Sequence, residues 1–248
     1  MAIGKMIKHI EMLKHPVLRQ YLPETHWLTP ARDLQMLRSY SSVFVKPNHG
    51  SGGAGIIRVK RKRNGYEVRF GQKRKYVSSD SVYSAIQSYQ KPFQRYLVQR
   101  GLRLAKYHGS IFDIRVYMQK PFSKWVISGM IARVAAPNRY VTNYHRGGHG
   151  ESLIKVLSHL FRNNRRIVKD TLNEMANLSS IIAETLNKRH SGIRELGIDF
   201  GIEKSGRLWI IEANTRPGHK LFNQLPDKTM LFIIRKNKQL IRKSYRTF

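Results

Sequence analysis

A lysine that ends a short apolar strand and is followed at once by a run of glycines suggests phosphate chemistry. Val43-Phe44-Val45 reads as the strand, Lys46 ends it, and Pro47-Asn48-His49-Gly50-Ser51-Gly52-Gly53-Ala54-Gly55 follows. Glycines let backbone N–H groups close on phosphate oxygens, and the ammonium adds a point charge. The loop returns to a strand at Ile56–Val59 and does not run through Gly-Lys-Ser/Thr into a helix, so it is not a Walker A loop.

A second constellation lies in ELGIDFGIEKSGRLWIIEAN, residues 195–214. Ile198, Phe200 and Ile202 alternate with Asp199 and Gly201, and in the return strand Trp209, Ile211 and Ala213 alternate with Ile210, Glu212 and Asn214. With Ser205-Gly206 as a two-residue turn, Lys204 faces Arg207, Asp199 falls opposite Glu212, and Asn214 sits two residues on along the same face. Oxygen ligands of this kind suit Mg²⁺ bridging nucleotide phosphates, and a register slip of one residue would undo the arrangement. The chain has 15 Asp+Glu against 46 Lys+Arg, so carboxylates placed this way stand out.

Between these two segments, Asp113 and Arg115 share a strand face and Arg133 ends another strand. A Gly/His loop then carries Asn143, His145, Arg146, Gly147 and Gly148. Arginines aimed at a phosphate would stabilise charge building on a transferring phosphoryl group. His145 and His149 lack the Cys partners or helical His pair of a zinc site.

The elements that must position these residues are of mixed type. Thr29-Pro30 opens a helix over Ala31–Arg38, Asn64-Gly65 makes a hairpin turn between RVKRK and YEVRFG, and residues 151–190 carry helical periodicity. Strands and helices show no βαβ rhythm, so the expected class is α+β. The expected division is an N-terminal helical and irregular segment (1–40), a small subdomain with the phosphate loop (41–100), and a large one with the acidic hairpin and a basic C-terminal helix (101–248). Of the 248 residues, 41% are hydrophobic, enough for a core, and no apolar run approaches the roughly 20 residues of a membrane span. Lys and His interrupt the apolar residues of the first stretch, so it does not read as a signal peptide, and the cytoplasm is the expected setting. The absence of Cys excludes disulfides and thiolate chemistry. The formal net charge of +31 draws polyanions. Arg58–Lys75 alone has nine basic residues and one acid, with Tyr66 and Phe70 interleaved, yet it matches no RNA-binding motif, so nucleic acid ranks behind the other readings.

VFVKPNHGSGGAGI, FDIRVYM, the Arg133 strand, TNYHRGGHG and GIDFGI…LWIIEANTRPG occur in the order and spacing of ATP-grasp enzymes. Together with YLPETHWL near the start, the wording resembles the YheC/YheD endospore coat-associated family. The resemblance implies two α+β subdomains clasping ATP. It implies Lys46 on the α- and β-phosphates beneath Gly50, Ser51, Gly52, Gly53 and Gly55, and Gln99 with the backbone of Val98 to Gly101 at the adenine hinge. It further implies Mg²⁺ on Asp199, Glu212 and Asn214, Arg115 and Arg133 facing the γ-phosphate or acyl phosphate, and Asn143 with His145, Arg146, Gly147 and Gly148 bordering the substrate. The implied activity is a ligase that activates a carboxylate as an acyl phosphate for attack by an amine or thiol, in association with the developing spore. ATP-grasp ligases usually carry an N-terminal α/β domain, whereas here residues 1–40 precede the Lys46 strand. Substrate selection is therefore expected from the basic surface, with an acidic polymer or acidic protein as partner, or from another chain. The competing expectation is a non-catalytic grasp-fold protein that binds a polyanion or a spore coat component; a complete set of metal ligands plus Lys46 argues against it.

Overall fold

Apolar alternation along the strands and 3.6-residue periodicity along the helices build two compact units in the computed structural model, which describes residues 3–50, 52–137, 139–140, 142 and 147–244. In chain order the elements are α1 (Lys5–Lys14), α2 (Pro16–Arg19), β1 (Thr25–Trp27), α3 (Pro30–Ser39), β2 (Ser42–Pro47), β3 (Ile57–Lys62), β4 (Gly65–Phe70), β5 (Lys73–Val77), α4 (Val82–Gln87) and β6 (Tyr96–Arg100). They continue with β7 (Lys106–Tyr107), β8 (Ser110–Gln119), β9 (Val126–Val134), β10 (His149–Glu151), α5 (Leu153–Leu160), α6 (Arg165–Arg189), β11 (Glu195–Ile202), β12 (Leu208–Asn214) and α7 (Thr229–Ser244). One unit holds Met1–His9 with Pro23–Leu102, the other Ile10–Leu22 with Arg103–Phe248.

The first unit is an antiparallel sheet in the order β1-β6-β2-β3-β4-β5. Val43, Val45, Ile57, Val59, Val68 and Val98 line one face and are fully buried with Met36 and Leu37 of α3 and Val82 and Ile86 of α4. The opposite face, by strand register, carries Thr25, Gln99, Phe44, Arg58 and Arg69 in one row, with Lys46 two residues beyond Phe44. Helix α3 starts where its sequence signals a start: Pro30 takes the first turn and the Thr29 hydroxyl accepts from the Arg32 amide. The hairpin turn lies one residue earlier than the Asn64-Gly65 pair suggests. Lys62 pairs with Gly65, so the turn is Arg63-Asn64. Gly65 opens β4 because β5 comes so close that a Cβ there would sit 2.3 Å from the Val77 carbonyl oxygen.

Asp33 of α3 is wholly buried, and neither carboxylate oxygen has a hydrogen-bond partner among the described residues. Burial pushes its carboxyl up to about 7. A folded-state value above the unfolded one means stability is complete at low pH and declines as pH rises through the range from 3.8 to about 7. Asp33→Asn removes that decline. The variant should be more stable than wild type by about 2–4 kcal/mol at pH 8 and no more stable at pH 4, as read from urea melts at the two pH values.

The second unit is an antiparallel sheet in the order β10-β9-β8-β11-β12, with β7 on β8. Helix α6 buries Val168, Met175, Leu178, Ile182 and Leu186 and packs on β8 and β11, while α5 packs on β9. Helix α7 and the turn before it bring Phe222, Leu225, Leu231 and Ile234 around Tyr117 and Ile131. Among the described residues, no helix is long and apolar enough to cross a membrane.

Candidate functional site

The register of the acidic hairpin decides whether its oxygens converge. Asp199 pairs directly with Glu212, and Gly197 with Asn214. The route to this register differs from the two-residue turn that the sequence suggests. Glu203 donates its amide to Arg207 and accepts from Gly206, so the loop is Lys204-Ser205-Gly206, with Gly206 in the left-handed region at φ 89°. A three-residue loop shifts the pairing by one residue, and Phe200 accordingly pairs with Ile210. The register then shifts back between Asp199 and Phe200, leaving Ile211 as the extra residue of a β-bulge. The two one-residue shifts cancel at the carboxylates.

The same face of the sheet carries Arg115, the register partner of Asp199 on β8, and Arg133, the register partner of Asp113 on β9. Arg115 grips Asp199 with both nitrogens, Nε to Oδ1 at 2.5 Å and Nη2 to Oδ2 at 3.1 Å. Arg133 does the same to Asp113 at 2.5 and 2.6 Å and reaches Asp199 Oδ2 at 3.0 Å. Thr142 donates its hydroxyl to Asp113 Oδ2 at 2.5 Å, and Asn214 Nδ2 to Asp199 Oδ2 at 3.3 Å. Gly197 makes room for this network: a Cβ there would lie 3.0 Å from Arg115 Nη1. Burial alone would raise the Asp199 carboxyl, but Arg115 and Arg133 outweigh it and hold the group below the ordinary carboxylate range. On Arg133 burial opposes the charge, and Asp113 and Asp199 overcome it, so the guanidinium stays protonated. Asp113 and Thr142 have no role legible from sequence, because their part is to orient Arg133 and only the β8–β9 register reveals it.

In the first unit Lys46 is buried, and its Nζ donates to Gln99 Oε1 at 2.6 Å while Gln99 Nε2 donates to Thr25 Oγ1 at 3.0 Å. The loop after it turns through positive φ at Gly50, Gly52, Gly53 and Gly55, conformations that L side chains resist. His9 lies close enough to feel this site. Burial first, then the charges of His26 and Lys46, lower it to about 4, so it is a neutral imidazole at pH 7. Of the stretch expected at an adenine hinge, Gln99 faces Lys46, whereas the Val98 side chain lies in the core on the other face. Gly101 closes on β2, its amide donating to the Ser42 carbonyl at 2.9 Å, with no space for a Cβ. Gly147 and Gly148 lead into β10, which pairs with β9 beside Arg133. Ser51, Asn143, His145 and Arg146 lie outside the described residues.

Two carboxylates and an amide oxygen on adjacent register positions are a hard-oxygen donor set, and they fit Mg²⁺ better than a softer ion. Among the described residues, Asp199 and Glu212 thus face each other beside Arg115 and Arg133, with Asp113 holding the second guanidinium.

A profile of the YheC/D-like ATP-grasp family matches residues 2–239. The chain is 28% identical over 225 residues to the endospore coat-associated protein YheD of Bacillus subtilis (strain 168), covering 87% of this chain and 48% of that protein. It is 24% identical over 215 residues to YheC of the same organism, covering 85% and 58% respectively. It thus spans about half the length of these curated relatives. Among solved structures, the D-cycloserine synthetase DcsG superposes with a TM-score of 0.59 at 12% identity, over 96% of this chain and 70% of that one. D-alanyl-alanine synthetase A from Vibrio cholerae O1 biovar eltor str. N16961 gives 0.56 at 14%, over 98% and 65%. At that identity the two structures speak for the fold alone, whereas the profile spans nearly the whole chain: it belongs to the YheC/D-like ATP-grasp family.

Proposed function

We propose that this protein is an ATP-dependent ligase that activates a carboxylate as an acyl phosphate and passes the acyl group to an amine or thiol. The observation that carries the proposal is the pairing of Asp199 with Glu212 beside Asn214, on the sheet face that also presents Arg115 and Arg133. A scaffold has no need of two arginines, one buried and one partly buried, held bidentately by carboxylates, whereas phosphoryl transfer depends on fixed positive charge that need not reorganise. Asp199, Glu212 and the Asn214 amide oxygen would hold Mg²⁺, which when bound neutralises phosphate charge. Lys46 and the glycine loop would take the α- and β-phosphates, and Gln99 fixes the Lys46 ammonium in place.

In the first step a substrate carboxylate oxygen attacks the γ-phosphorus, the bond to the β–γ bridging oxygen breaks, and ADP leaves. In the second the acceptor nitrogen or sulfur attacks the acyl carbon, inorganic phosphate leaves, and the acceptor proton is lost to solvent. Arg115 and Arg133 would stabilise the charge on the phosphoryl oxygens in both steps. No enzyme nucleophile is needed. For the acceptor we favour an acidic polymer or acidic protein, since Lys60, Arg61, Lys62, Arg63, Lys73, Arg74 and Lys75 are all exposed on the β3–β4–β5 edge. The coat-associated relatives favour action at the developing spore.

The nucleotide half of this reading has a direct test. Millimolar Mg·ATP should raise the melting temperature, because a ligand bound only by the native state stabilises it by RT ln(1 + [L]/Kd). Lys46→Ala should lose most of that shift. A wild-type melt indifferent to Mg·ATP would remove the ligase reading and leave the polyanion-binding one. The ligase half is tested by ADP and phosphate release with candidate acids and amines, acidic peptides included.

A further inference from the structure

The glycine loop is held from outside itself, by a segment to which the sequence assigned no role. The Lys5 amide donates to the Asn48 carbonyl at 3.0 Å, the Met6 amide to Asn48 Oδ1 at 3.0 Å, and Lys5 Nζ to the Gly50 carbonyl at 2.8 Å. From the other side, the Asn48 amide donates to the Arg95 carbonyl and Gln94 Nε2 to the His49 carbonyl, both at 2.9 Å. Gly4 packs on the Asn48 side chain so closely that a Cβ would lie 2.5 Å from Nδ2. Lys8 and His9, next along the segment, are buried.

A loop that turns on four glycines has little conformational preference of its own and loses much entropy when a ligand orders it. Contacts that fix the loop in advance reduce that cost and so raise affinity for whatever the loop binds. The bond from Lys5 also brings a second cation to a loop that already follows Lys46, which favours a ligand with several negative charges.

We propose that Gly4–His9 is a strap that preorganises the glycine loop for a polyphosphate, with Lys5 as its positioning residue, so that the strap sets selectivity for nucleoside triphosphate over nucleoside monophosphate. This rests on the nucleotide reading of the loop and specifies how the loop gets its shape. The strap's bonds reach the loop at Asn48 and Gly50, and ATP offers that loop more phosphate charge than AMP does, so loss of the strap weighs more on ATP than on AMP.

The test compares wild type with Lys5→Met, Lys5→Arg and Gly4→Ala, using displacement of a fluorescent adenine nucleotide by Mg·ATP and by AMP. Amide hydrogen exchange of residues 48–55 is followed without nucleotide. Lys5→Met keeps the length of the side chain and removes its charge. It should weaken Mg·ATP binding about tenfold, the equivalent of about 1.4 kcal/mol. AMP binding should stay within about twofold, and exchange in the loop should quicken. Lys5→Arg should recover part of the ATP affinity, and Gly4→Ala should reproduce the loss by displacing Asn48. Equal losses for ATP and AMP, or unchanged ATP affinity in Lys5→Met, would overturn the strap. A wild type that binds neither nucleotide overturns the nucleotide reading itself, a result distinct from the other two. If Gly4→Ala fails to fold, the half-exposed Lys5 variants decide the matter.

Discussion

Asp199→Asn should cost about 3–5 kcal/mol of stability at pH 7, a large share of the roughly 5–15 kcal/mol that holds a typical domain together. The residue is buried, and it accepts from Arg115 through both oxygens and from Arg133 and Asn214 through Oδ2. Losing its charge leaves Arg115 buried beside a neutral amide that can only partly satisfy it. Arg133 fares better, since Asp113 still holds it bidentately. The damage should therefore run through Arg115, and in an Arg115→Met background the Asp199→Asn penalty should shrink by more than half. The sign of the pH dependence follows from the direction of the shift. Arg115 and Arg133 depress the folded-state value, so the stabilisation is complete above the unfolded value of about 3.9 and is lost as pH falls through the folded one. The gap between wild type and variant should be constant from pH 7 to about 5 and narrow only in stronger acid. Urea melts at pH 7 that coincide for wild type and Asp199→Asn would show that the ion pairs contribute nothing, and the account of this face would have to be abandoned.

The first-unit sheet was legible because its signals are local. Lys46 follows an apolar strand, the glycines follow Lys46, and Thr29-Pro30 marks a helix start, each within a few residues. The acidic hairpin was legible only in part. The chain pattern names Asp199 and Glu212 as neighbours, but a two-residue turn is the wrong reason. Loop length and bulge position depend on packing, since Gly206 abuts the Phe161 ring and Gly201 meets Leu104 and Ile211, none of which is adjacent in sequence. A hairpin with the same three-residue loop and no bulge would have placed Glu212 on the opposite face.

What escaped altogether was long-range. The Asn48–Lys5 and Asn48–Met6 bonds join residues separated by most of a subdomain, and nothing in MAIGKMIKH announces a role at a phosphate loop. Gly4 was the one available signal, a glycine in a helical approach, and its reason is the Asn48 side chain it touches. Strand alternation puts Asp113 on one face with Arg115, yet its own partner is Arg133, across the β8–β9 ladder. In a chain with 46 Lys+Arg, single arginines carry little information by themselves. The structure separates Arg115 and Arg133 from the surface majority by the carboxylates that hold them.

Glu212→Gln should do the reverse of Asp199→Asn, removing activity while sparing the fold. Glu212 is half-buried and sits directly across from Asp199, so two like charges face each other on paired strands. Such pairs repel, and making one neutral with an isosteric amide should leave metal-free stability unchanged or slightly higher. The functional loss comes from the metal. A carboxylate exchanged for an amide gives a weaker Mg²⁺ ligand, and the lost charge stabilisation of several kcal/mol corresponds to a fall in turnover of about two to three orders of magnitude. Two measurements separate this from a general injury. Urea melts without metal should match wild type, and the thermal shift with ATP alone should persist while the further shift on adding Mg²⁺ disappears. The contrast between the two carboxylates is itself the prediction: Asp199 is buried and held bidentately by Arg115, whereas Glu212 is half-buried and its charge matters most to the metal. Near-wild-type turnover of Glu212→Gln at saturating Mg²⁺ would remove Glu212 from the ligand set. The bulge at Ile211, which alone brings this residue onto the site face, would then have no functional account.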